Sequence, residues 1–166
     1  MKFICLLALL AVIYPVNHLK CQAAKTGKAT YFTIGELQEM IRQLDQFKPV
    51  DDIITSNGFI KKTTIKDGYI VALDEKAGDM LEVATGTVDG DEYFGPELTF
   101  KFKTNQVYEK YKAAFAAHPD YKEEEKSFKY TPGSAKYRHY INQSLKLKVY
   151  FTDFSPAGYH MSIKSL

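Results

Sequence analysis

Few side chains in this sequence are suited to covalent or metal chemistry, and the most reactive lies in the stretch HLKCQAAKTG, where Cys21 is one of only two cysteines. Retained in the working protein, it would offer a lipid attachment point, a disulfide or a thiolate. The residues before it argue that it leaves. Met1-Lys2, an apolar run from Phe3 to Val16, and then Asn17 and His18 follow the order of a secretory signal. The small residue wanted at the cut is best supplied by Ala23, and a cut after Cys21 has the same consequence. Residues 1–23 are therefore expected to be a removed signal peptide and residues 24–166 a cysteine-free domain. Lipidation of Cys21 would need small residues ahead of it, where His18, Leu19 and Lys20 stand. No stretch reaches the roughly 20 apolar residues of a membrane span, so no membrane anchor is expected.

Without cysteine, thiol catalysis and thiolate metal sites drop out. The remaining histidines are His118, His139 and His160, and no two have the i, i+4 spacing of a helical metal site. His118 precedes Pro119 at a helix end, where an imidazole can face the terminal carbonyls. His118, His139 and Asp120 are the groups on which a small secreted hydrolase would have to be built. No Gly-x-Ser-x-Gly elbow occurs, and Gly86, Gly90 and Gly95 are spread over acidic sequence that would repel a phosphate. Asp89-Gly90-Asp91-Glu92, with Glu97, could supply oxygens to calcium, but the spaced Asp-x-Asp-x-Asp-Gly loop is missing and Asp-Gly is first a hairpin turn. No cofactor is expected. Asn142-Gln143-Ser144 would accept a glycan only in a eukaryotic secretory route.

Aromatic residues are the richest feature, with twelve tyrosines, eleven phenylalanines and no tryptophan. Tyr130, Tyr137 and Tyr140 lie with Lys129, Lys136, Arg138 and His139 in a segment of poor periodicity. Tyrosine with arginine is the composition of protein-binding patches. Tyr130, Tyr137, Arg138 and Tyr140 are the candidate binding residues, and a long loop packed down by its own tyrosines is the competing reading. The formal charge of +2 resides in Lys2 and Lys20, so the chain from Ala24 is neutral. Neutrality speaks against nucleic acid as a partner, because phosphates are gripped by an excess of Lys and Arg.

The elements that would position these groups read as an α+β domain. Thr33-Ile34-Gly35-Glu36 fits a capping box, and Ile34, Leu37, Met40, Ile41 and Leu44 form one helical stripe ending at Lys48-Pro49. Asp51 to Ser56 suits a short second helical turn closed by Asn57-Gly58. From Phe59 the period becomes two, with strands at 59–65, 69–73, 80–87 and 98–103 separated by turn residues. Asn105 can cap a helix with Tyr108, Tyr111 and Phe115 on one face, and the charged stretch Asp120 to Ser127 suits another short helix. A terminal hairpin runs through Leu145, Leu147, Val149 and Phe151 and returns through Tyr159, Met161 and Ile163. The halves 33–103 and 105–166 repeat a helix-then-strands plan, which predicts an antiparallel sheet with helices on one face.

Glu36-Leu37 opening a helix, Asp51-Asp52-Ile53-Ile54, Asn57-Gly58-Phe59, and a Lys-Val-Tyr-Phe strand paired with Gly-Tyr-His-Met-Ser-Ile-Lys resemble small exported proteins of Bacteroidota. That resemblance implies a periplasmic or secreted location and adds no catalytic residue. The two-fold layout is similar, in architecture only, to secreted inhibitors of the β-lactamase-inhibitor type. The expected function is non-catalytic binding of a protein or cell-envelope component. The alternatives are inhibition of a secreted enzyme and Asp/His-based hydrolysis.

Overall fold

The computed structural model describes residues 30–166 apart from 90–91, 125–135 and 156, and for 61, 62, 87–89, 92–94 and 136 it describes the backbone. The expected signal peptide, including Cys21, lies outside the described residues, as does Tyr130.

Helix α1 spans Ile34–Arg42 and is opened by Thr33, whose hydroxyl accepts from the Glu36 amide while the Glu36 carboxylate accepts from the Thr33 amide. Each partner satisfies a donor that the first helical turn leaves open. Helix α2, Phe47–Ser56, follows a short connector and contains Pro49 in its first turn. Lys48-Pro49 thus begins a helix instead of ending one, because a proline in the first turn gives up an amide that has no helical partner there. Asn57 caps α2, and Gly58 takes a φ of +88°, a left-handed angle that glycine adopts without strain.

Four strands of a meander come next: β1 (Lys61–Ile65), β2 (Gly68–Asp74), β3 (Asp79–Ala84) and, after the small hairpin β4 (Thr87–Asp89) and β5 (Glu92–Phe94), β6 (Glu97–Phe102). Helix α3, Asn105–Ala117, has Thr104 at its N-cap position, so Asn105 is its first residue and not its cap. Then follow β7 (Lys122–Glu123), β8 (Lys136–Asn142), β9 (Leu147–Asp153) and β10 (Tyr159–Ser165). Lys122 and Glu123 pair with Ile141 and Tyr140 as a strand, and in this the structure departs from a helix over Asp120 to Ser127.

The eight-stranded sheet has the order β1-β2-β3-β6-β10-β9-β8-β7, and all its pairs are antiparallel. It consists of two meanders joined through their last strands, β6 and β10. The helices cover one face, as the α+β reading requires. Period-two alternation sends Tyr69, Val71, Leu81, Val83, Leu98, Phe100, Phe102, Met161, Val149 and Phe151 to that side, all essentially buried. They meet Leu37, Met40 and Ile41 of α1, Val50 and Ile54 of α2, and Tyr108, Tyr111 and Phe115 of α3. Rings pack in pairs between helices and sheet: Phe47 against Tyr69 at 5.6 Å, Tyr111 against Phe100 at 5.7 Å, Tyr108 against Phe151 at 5.6 Å. Each fully buried side chain of this kind contributes about 1.5–3 kcal/mol.

Two polar ties fix the chain that leads into α1. The Phe32 amide donates to the Tyr111 hydroxyl at 2.8 Å, and the Tyr31 hydroxyl donates to Asp79 at 2.8 Å. Asp79 is 1% exposed and also accepts from the Lys103 amide, so this buried carboxylate is structural.

A candidate binding surface on the open face of the sheet

The face turned away from the helices is built from the other half of each alternation. Register fixes its residues in three rows across the strands. Glu97, Lys164, Lys148 and Ile141 form the first. Glu82, Thr99, Ser162, Tyr150 and His139 form the second, and Met80, Lys101, His160, Thr152 and Tyr137 the third. A depression of about 310 Å³ opens among them. Glu97 and Lys164 line it from the first row, Ser162, Tyr150 and His139 from the second, and Thr152 and Tyr137 from the third.

Tyr150 is the centre of the cluster. The His139 ring meets it edge-on at 4.5 Å, and the ammoniums of Lys148 and Lys164 lie 5.1 and 4.7 Å from its ring centre. Lys148 is nearly buried, and its nitrogen stands 2.8 Å from Glu124, whose carboxylate also lies 3.7 Å from His139 Nδ1. Burial works to lower the Lys148 pKa, but the bond to Glu124 and the neighbouring Tyr150 outweigh it and hold the ammonium above its ordinary value. On the β6 side, Thr99 donates to Glu97 at 3.2 Å and shares a 3.2 Å hydrogen bond with Ser162, while Lys101 pairs with Glu82 at 3.0 Å. His160 is held below its ordinary value by burial and by the charges of Lys101 and Lys103.

This arrangement gathers donors and acceptors around an aromatic ring. Ser162 and His139 are separated by Tyr150 in their row, so they do not form the direct hydrogen bond of a nucleophile and its base. Among the described residues, no three His, Cys, Asp or Glu side chains converge as metal ligands, and no helix is long and apolar enough to cross a membrane.

The residues singled out from sequence are dispersed. Tyr137 lines the depression and is 42% exposed. Arg138 points to the helix side, where it pairs with Glu123 at 3.3 Å, and the Tyr140 hydroxyl helps raise its pKa. Tyr140 is 1% exposed, with its ring against Phe151 at 5.8 Å, and so belongs to the core. Strand alternation therefore divides the Tyr137-Arg138-Tyr140 set between two faces, since β8 is a strand where the sequence showed only poor periodicity. His118 caps α3 and its Nδ1 accepts from the Asp120 amide at 3.3 Å, within the helix layer. His139 is on the opposite face, so His118, Asp120 and His139 share no site. The Asp89-to-Glu92 calcium set lies outside the described side chains, although the backbone pairs Asp89 with Glu92 across a hairpin. Asn142 is buried, with its side-chain oxygen accepting from the Leu145 amide, and is not placed to receive a glycan.

Tyr150, Thr152, Ser162 and Lys164 were not anticipated as a site. One signal pointed to them: Tyr150 shares the outward register of β9 with Lys148, opposite Val149 and Phe151, where an aromatic ring has no core to fill. The chain matches no family model, no curated protein and no solved structure.

Proposed function

We propose that this chain is an exported, non-catalytic binding domain that recognises a protein or cell-envelope component through the open face of its sheet. One observation carries the reading: the helices cover the core face of the sheet, while the other face concentrates Tyr137, His139, Tyr150, Ser162 and Lys164 around a depression. Sheet positions are held rigidly by neighbouring strands, which lowers the ordering cost of binding. An inhibitor of a secreted enzyme would use this same face, and the captured partner distinguishes it from an envelope receptor.

The test is capture of envelope and exported material on the immobilised full-length chain, compared with Tyr137→Ala/Lys164→Ala and with the helix-surface control Arg42→Ala. Binding that persists in the control and is lost in the double variant supports the reading. Equal capture by all three proteins overturns it.

A further inference from the structure

The depression also constrains the chemistry of what it holds. The charges of its lining are balanced: Glu97 and Lys164 stand directly across from each other in register, and the nearby Lys148, outside the lining, is paired with Glu124. An ionic ligand would find no surplus charge of either sign in this lining. The remaining groups form a dense mixture. Glu97 accepts, Lys164 donates, and the hydroxyls of Ser162 and Thr152 do both. A ligand that matches such a lining must present donors and acceptors together at short spacing, which is the property of a polyhydroxylated ring. An extended peptide would instead satisfy its amides along a sheet edge, not across a sheet face.

Size and apolar character agree. About 310 Å³ is at the lower end of the roughly 300–1,000 Å³ of small-ligand sites. Among the described residues, the exposed large apolar side chains are Ile60, Tyr137, Leu145, Phe154 and Leu166, and of these only Tyr137 lines the depression, too few for the apolar anchor cluster of a protein interface. Tyr137 is exposed and supplies a ring suited to the C–H side of a sugar, while Tyr150, already met by His139 and two ammoniums, forms a braced wall of the depression before any ligand arrives.

The geometry points to a neutral saccharide as the ligand of this depression, held between Tyr137 and Tyr150 by Glu97, Ser162 and Lys164. The inference rests on the open face being the binding surface, and the experiment separates the two. The ¹⁵N-labelled full-length chain is titrated with chitotriose, cellotriose and maltotriose, and with the trimer of galacturonic acid as the charged counterpart. At least one neutral sugar should shift the amide signals of Tyr137, Ser162 and Lys164 to saturation, with no comparable response to the acid. Ser162→Ala should weaken that binding about two- to tenfold, the effect of one hydrogen bond, with Tyr137→Ala as a second, independent variant. Silence at these amides with all three neutral sugars, or tighter binding of the acid, overturns the saccharide. If capture still depends on the open face, the surface stands and only its ligand class falls. If capture is also indifferent to the face, both fall.

Discussion

Tyr137 and Tyr140 are three residues apart on one strand, and substituting each by alanine should give opposite results. Tyr140 is 1% exposed and packs edge-on against Phe151, so removing its ring empties a space in the core. Loss of a fully buried aromatic ring costs about 3–5 kcal/mol. For a domain of this size that is a fall in Tm of roughly 10–20 °C. Tyr137 is 42% exposed on the other face, and its removal should change stability by no more than about 0.5 kcal/mol. Arg138→Ala falls between, since its pairing with Glu123 is half exposed and such pairs contribute about 0–1 kcal/mol. Urea denaturation followed by circular dichroism measures all three, and capture on the same proteins should respond to Tyr137 alone. Comparable losses of stability at positions 137 and 140 would refute the face assignment on which the candidate surface is built. A combined Tyr137, Arg138 and Tyr140 substitution would mix the core loss at Tyr140 with the surface change at Tyr137 and so would not isolate binding.

The phenols of Tyr31, Tyr69, Tyr108, Tyr111 and Tyr121 are all pushed above their ordinary value, chiefly by burial. The fold favours their neutral form, so stability should decline as pH rises above about 10, and ultraviolet titration should show these phenols ionising only with unfolding; a single smooth transition for every tyrosine would contradict their burial. His160 is held below its ordinary value, so as pH falls below about 6.5 the unfolded chain takes up the proton first and stability declines. His160→Gln should flatten that part of the urea-midpoint profile, and an unchanged slope would remove the linkage.

The architecture was largely legible, because it rests on signals that are local. The Thr33 capping box, the Tyr108-Tyr111-Phe115 face and the alternation of Leu98, Phe100 and Phe102 each specify an element without reference to the rest of the chain. Pro49 was misread because proline ends a helix or opens one according to whether the amide is needed, and only the position of α2 decides that. Strand β8 was hidden because both of its faces carry large polar or aromatic groups: Tyr137 and His139 look outward while Tyr140 fills the core. The candidate surface was hidden for a different reason. It joins Glu97 to Lys164 and Ser162 to Tyr150 and His139, residues brought side by side only by strand order, which no periodicity encodes.

Strand order also has a consequence for how the protein is made. β10, which follows every other strand in the chain, lies between β6 and β9. During synthesis β6 is complete long before its partner exists, and until β10 arrives both β6 and β9 present open edges flanked by Phe100 and Phe151. Unpaired edges with aromatic neighbours are where nascent chains adhere to one another. The central β6–β10 pairing, which joins the two meanders, therefore waits on the last of the eight strands to be made.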